Sequence, residues 1–99
     1  MYVAIKTYSG TGGKELLDLY IQNKADIESF IRSVPGFVSY LVVQTDDGGA
    51  TVTVCQDKRG TDECVQRSRE WWIARDLPDV KAEVSITEGA PTMYFTSTR

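Results

Sequence analysis

The chain has 99 residues, 41% of them hydrophobic and 25% charged, and a formal net charge of −3. That length makes one domain, 1–99, too small to hide its apolar surface completely, so burial against a partner is a natural supplement. The acidic balance and eleven scattered Lys and Arg exclude a nucleic-acid face. No apolar run is long enough to span a membrane and the amino end lacks a leader's pattern, which reads as cytoplasmic.

Residues 2–8, "YVAIKTY", alternate Val3, Ile5 and Thr7 against Tyr2, Ala4 and Lys6 and predict a strand. "SGTGG" breaks it. From residue 14 to 33 the period becomes helical, with Leu16, Leu17, Tyr20, Ile27, Phe30, Ile31 and Val34 on one broad face. Asn23 and Lys24 interrupt that face and predict a bend, and "VPG" ends the helix. Residues 36–44, "GFVSYLVVQ", read as a strand apolar on both sides: Phe37, Leu41 and Val43 on one, Val38, Tyr40 and Val42 on the other. "TDDGG" turns the chain and "ATVTVCQD" returns as the hairpin partner. Thr61 is then the expected N-cap of a second helix, with Asp62 and Glu63 in its first turn and an end near Asp76. Residues 79–87 alternate as a half-exposed strand with Val80, Ala82, Val84 and Ile86 inward. "EGAP" reads as a loop, and "TMYFTST" as either a short strand or a tail.

The order βαββαβ predicts an α+β, ferredoxin-like fold with an antiparallel sheet and both helices on one face. Helices can cover only one side of that sheet, yet its central hairpin is apolar on both. A second copy pressed sheet to sheet resolves the conflict and predicts a homodimer. The alternative is a far face merely less polar than average.

A strand of the type "MYVAIKTY", the "VPGF" junction with its hairpin, and "DKRGTDECVQRSREW" followed by "TEG" resemble the antibiotic biosynthesis monooxygenase-like group of the dimeric α+β barrel superfamily. The likeness is to its small stand-alone bacterial members of unknown function and covers nearly the whole chain. It implies the same fold and a dimeric α+β barrel, with activities ranging from cofactor-independent oxidation of polycyclic aromatics to haem degradation. The haem-degrading branch uses an Asn on the first strand, a Trp near the end of the third and a His on the second helix. Here "YVAIKTY" has no Asn, "TVCQDKR" no Trp and the chain no His, so that activity is excluded. The quinone-forming branch uses Asn, Trp, Tyr and Arg, and the only Asn is Asn23, on the first helix and unmatched to that role. Fold alone does not assign function.

The absence of histidine removes the commonest base at neutral pH, the commonest metal ligand and any Ser-His or Cys-His nucleophile. No metal site is expected, and no cofactor. "SGTGGKE" lacks the residues of a phosphate loop and reads as a turn, as do Asp46 and Asp47. Asp57, Glu63, Glu70 and Glu88 read as solvated acids partnered by Arg67, Arg69 and Arg75. Cys55 and Cys64 read as buried thiols, able to bond only if the helix start folds back over the strand. Helical phase puts Trp72 at the centre of the sheet-facing stripe and Trp71 on its flank beside Cys64 and Arg75.

Trp71, Tyr40, Tyr8 and Arg75 are therefore the candidate ligand-binding residues, with no catalytic residue assigned. The expected function is a homodimer binding a hydrophobic or aromatic small molecule in a cleft between sheet and helices, as a cofactor-independent monooxygenase. The alternatives are a non-catalytic ligand-binding or interaction dimer, and a regulatory amino-acid-binding domain, which ordinarily accompanies a catalytic domain.

Overall fold

The computed structural model describes residues 1–10, 12–75 and 83–97. In chain order it contains β1 (Tyr2–Ser9), α1 (Gly13–Gln22), α2 (Lys24–Arg32), β2 (Phe37–Thr45), β3 (Gly48–Cys55), α3 (Lys58–Ala74) and β4 (Glu83–Gly89). The four strands form one antiparallel sheet in the order β2-β3-β1-β4, the ferredoxin-like arrangement expected from the sequence. The three helical segments pack on one face of it. Their apolar sides meet Tyr8 and Cys55 in a core of Leu16, Leu17, Tyr20, Ile27, Ile31, Val34 and Cys64.

The first helix is two helices. At Asn23 the side-chain amide donates to Leu19 O at 2.8 Å, and the backbone N–H donates to Leu19 O and Tyr20 O. An Asn that satisfies carbonyls locally competes with the helical ladder, which places the bend at this residue.

β2 corrects the facial assignment of Phe37. A register shift between Phe37 and Ser39 inserts one extra residue, so Phe37 faces the helices with Tyr40 and Val42 rather than sharing a side with Leu41 and Val43. Val38, expected on the side of Tyr40, is left exposed by the same bulge. The β2–β3 hairpin turns through Asp46 and Asp47 alone. Gly48 makes it possible: a Cβ there would stand 2.1 Å from the Tyr8 carbonyl oxygen, so only glycine lets the hairpin lie against β1.

Helix α3 starts earlier than expected. Its N-cap is Asp57, whose carboxylate accepts the Gly60 N–H at 3.1 Å. Thr61 lies inside the first turn, fully buried, with its hydroxyl donating to Lys58 O. Aspartate is as good a cap as threonine, and burying Thr61 against the sheet decides between them. α3 lies chiefly over β1 and β3, reaching β4 through the Lys58–Glu88 ion pair. Val84 and Ile86, expected to point inward, are consequently exposed on an edge strand. The expected helix end at Asp76 and the strand start at residues 79–82 lie outside the described residues. Beyond Gly89, residues 90–97 form no strand and present Met93, Tyr94 and Phe95 to solvent.

The far face of the sheet is apolar. Ile5, Leu41 and Val43 are exposed there, 36, 51 and 49% accessible, beside half-buried Val3, Val52 and Val54. The cross-strand pairs Ile5–Val52 and Leu41–Val52 make this one continuous patch.

A candidate ligand cleft between the first helices and the sheet

A cavity of about 290 Å³ opens between α1, α2 and β2 on the helical side of the sheet. Ile27 and Ile31 of α2 form one wall, Phe37 and Val42 of β2 the other, and Tyr20 and Tyr40 contribute aromatic rings. Lys24, Glu28 and Arg32 also line it, on the solvent side of α2. The bulge is what brings Phe37 into this wall. The bend at Asn23 separates α2 from α1 directly above it.

The polar chemistry of the cleft is that of donors. Burial, reinforced by the neighbouring Tyr20, pushes the Tyr40 hydroxyl well above the usual phenol range, although its hydrogen bond to Thr51 acts the other way. Burial also raises Tyr20. Both therefore stay protonated, the Tyr40 hydroxyl meeting Thr51 and the Tyr20 hydroxyl meeting Tyr8. The Glu28 carboxylate accepts from Arg32 Nε at 2.8 Å, and that contact holds it below the usual range. It is a weak base for the same reason.

Behind the cleft runs an aromatic ladder. Tyr8 meets Tyr20 edge to face with centroids 6.2 Å apart, and Tyr20 meets Trp71 the same way at 5.6 Å. Arg75 lies over the Trp71 ring at 4.3 Å and pairs with Asp26 of α2. Of the four residues singled out from sequence, Tyr40 lines the cleft. Tyr8 and Trp71 flank its Tyr20 from the sheet and from α3, and Arg75 covers Trp71 from outside.

The tryptophan phases change in one respect. The buried stripe of α3 is Gly60, Thr61, Cys64 and Ser68, and Trp71 continues that line more nearly than Trp72. Both rings are half-buried and pack against the core. Among the described residues each buried Nε1 has no hydrogen-bond partner, an arrangement that costs free energy until the donor finds an acceptor. In the sequence Tyr20, Ile27 and Ile31 mark only a core stripe. The usable signal was the interruption at Asn23 and Lys24, where the stripe meets water instead of protein.

The remaining charges hold the helices together. Arg67 donates to Glu63 at 3.0 Å, to the Phe30 carbonyl at 3.1 Å and to Ser33 Oγ, so its cation sits at the C-terminal end of α2. Asp57 caps α3, Glu70 accepts from Gln66, and Glu88 pairs with Lys58 at 3.3 Å. Lys6 is set apart. It lies on the helical side of β1 with its amine over the Tyr8 ring, and burial together with the Arg69 charge lowers its pKa.

Comparison with solved structures places this architecture. A monooxygenase of Streptomyces coelicolor solved with nanaomycin D superposes with a TM-score of 0.68 at 22% identity, over 98% of this chain and 92% of that one. A cofactor-independent oxygenase from Streptomyces nogalater gives 0.68 at 12% identity, over 97% of each chain. The fold is that of the antibiotic biosynthesis monooxygenase-like proteins. A dimeric ferredoxin-like protein from an uncultured marine organism shares it, with a TM-score of 0.61 at 12% identity over 97% and 98% of the two chains. No protein-family profile matches the sequence, and no curated protein matches it. Likeness to the monooxygenase-like proteins, at 12 to 22% identity, is thus a likeness of fold.

Proposed function

We propose that the protein binds a hydrophobic, aromatic small molecule in the cleft between α1, α2 and β2, and that it acts there as a cofactor-independent monooxygenase-like enzyme. The observation that carries the reading is the cleft itself: apolar walls of Ile27, Ile31, Phe37 and Val42 around two hydroxyls held protonated. Such a lining offers an apolar, ring-sized slot with phenolic hydroxyls beside it, which suits a phenolic or quinonoid ring system. The solved Streptomyces oxygenases of the same fold support the enzymatic half of the reading.

The lining also limits the chemistry. Glu28 is held ionised by Arg32, and Tyr20 and Tyr40 hold their protons, so none of the three is poised as a general base at neutral pH. A suitable substrate therefore carries a hydroxyl acidic enough to ionise by itself. The ring anion then gives electrons to dioxygen. One oxygen atom enters the ring as a quinone carbonyl and the other leaves as water, so a phenol plus O2 yields a quinone plus H2O.

We further propose a homodimer through the sheet faces, supported by the apolar patch around Ile5, Leu41 and Val43, and action in the cytoplasm. The test is direct. Trp71 touches Tyr20, a cleft residue, so a polycyclic phenol in the cleft should quench tryptophan fluorescence in the wild type and not in Trp71→Phe. Oxygen uptake with the same phenols and no added cofactor separates enzyme from binder. Saturable quenching without uptake would leave the non-catalytic module, and no quenching across a broad panel would sink the cleft reading.

A further inference from the structure

Cys55 ends β3, and Cys64 stands on the second turn of α3. Both are buried, and their sulfurs are 3.9 Å apart. A disulfide needs about 2.05 Å, so bonding would draw the two sulfurs about 1.9 Å closer than they stand. The proximity is built into the local sequence. Asp57 caps the helix immediately after the strand, and Gly60 leaves no side chain between them. A Cβ at Gly60 would stand 2.7 Å from Cys55 Cβ and 3.1 Å from its sulfur. Neighbouring hydroxyls do not intervene, because Thr61 donates to Lys58 O and Ser68 to Cys64 O, within their own helix. Among the described residues no group of three or more Cys, Asp or Glu gathers that could hold a metal ion.

We propose that Cys55 and Cys64 are a dithiol–disulfide site, oxidised by hydroperoxides to a bond that ties the start of α3 to the end of β3. In the first step the Cys55 sulfur attacks a peroxide oxygen, the O–O bond breaks and an alcohol or water leaves. The Cys64 sulfur then attacks the Cys55 sulfenic acid, forming S–S and expelling water. Two thiols give up two protons and two electrons, and the peroxide is reduced. Burial raises both thiols, and the neighbouring Cys55 adds to the rise at Cys64, which reaches about 12, so Cys55 is the sulfur that ionises more readily and attacks. A second cavity, of about 270 Å³ and lined by Val34, Pro35, Arg59, Gly60, Glu63 and Arg67, adjoins Gly60 without reaching either sulfur, so a small oxidant meets the thiols only when the start of α3 opens. Because burial keeps both thiols protonated, oxidation is slower than for a free cysteine and answers sustained rather than brief exposure.

The test exposes the purified full chain to hydrogen peroxide and then alkylates it in denaturant. Two cysteines should be labelled before exposure and none after, with a mass lower by about 2 Da and full recovery on adding dithiothreitol. Trypsin cuts at Lys58 or Arg59, so the Cys55 and Cys64 peptides should stay joined only in the oxidised sample. The oxidised protein should melt several degrees higher, and Cys55→Ser or Cys64→Ser should abolish both the joined peptide and the shift. Two labelled thiols after prolonged exposure would overturn the proposal. So would separate oxidation of each cysteine to an oxyacid, or a bond between chains in place of one within the chain.

Discussion

Gly60→Ala sets two physical effects against each other, and the structure says which prevails. Alanine is favoured over glycine in a helix by about 1 kcal/mol, so propensity alone makes the variant more stable. Gly60, however, lies in the first turn of α3 against the end of β3. The new Cβ would stand 2.7 Å from Cys55 Cβ and 3.4 Å from Pro35 O. Carbon atoms rest at roughly 3.5–4.0 Å, so the overlap is about 1 Å, and neither Cβ can rotate away from it. The helix start has to lift off the strand, an overpacking cost of about 1–3 kcal/mol. The net expectation is a loss of about 1 kcal/mol, or a melting temperature about 5 °C lower for a domain of this size. Urea unfolding followed by tryptophan fluorescence measures it, with Gly89→Ala as the control. Among the described residues no atom lies within 4 Å of a Cβ built at Gly89, so that variant should be neutral or slightly stabilised. A Gly60→Ala midpoint at or above wild type would refute the argument and show that the helix start has room.

Tyr40→Phe removes a buried hydroxyl bonded to Thr51, and should cost about 1 kcal/mol of stability and weaken binding of 1-naphthol roughly tenfold; isothermal titration reads the second effect. Stability should fall with alkaline pH. The folded Cys64 thiol titrates near 12 against 9.0 when unfolded, so its contribution is intact below pH 9 and is lost as pH rises towards 12. Raised Tyr8, Tyr20 and Tyr40 act in the same direction above pH 10, and lowered Lys6 opposes them. Urea midpoints from pH 8 to 11 should show the decline, with a smaller slope in Cys64→Ala. Leu41→Asp, on the exposed face of the sheet, should leave the circular dichroism unchanged and halve the mass in light scattering; a dimer that survives it would place the interface elsewhere. Arg75→Ala should lose the Asp26 pair and the cover over Trp71, cost less than about 1 kcal/mol, and shift Trp71 emission.

The sequence by itself determined the element order, the antiparallel ferredoxin-like topology and the two-sided apolarity of the β2–β3 hairpin. These follow from periodicity, and a period of 2 or 3.6 is a local property that survives without knowledge of the fold. It also located the bend, because Asn23 and Lys24 sit within an otherwise apolar stripe. Tertiary structure alone decided the rest. The bulge that swings Phe37 into the cleft depends on pairing with Cys55, which no window of β2 contains. The cap moved from Thr61 to Asp57 because Thr61 is buried against the sheet. Exposure of Val84 and Ile86 follows from α3 lying chiefly over β1 and β3 rather than over the edge strand. The cleft and the facing sulfurs share that cause, since each joins residues from elements that meet only when the layers pack. Composition can name such residues, but distances between them are set by the fold.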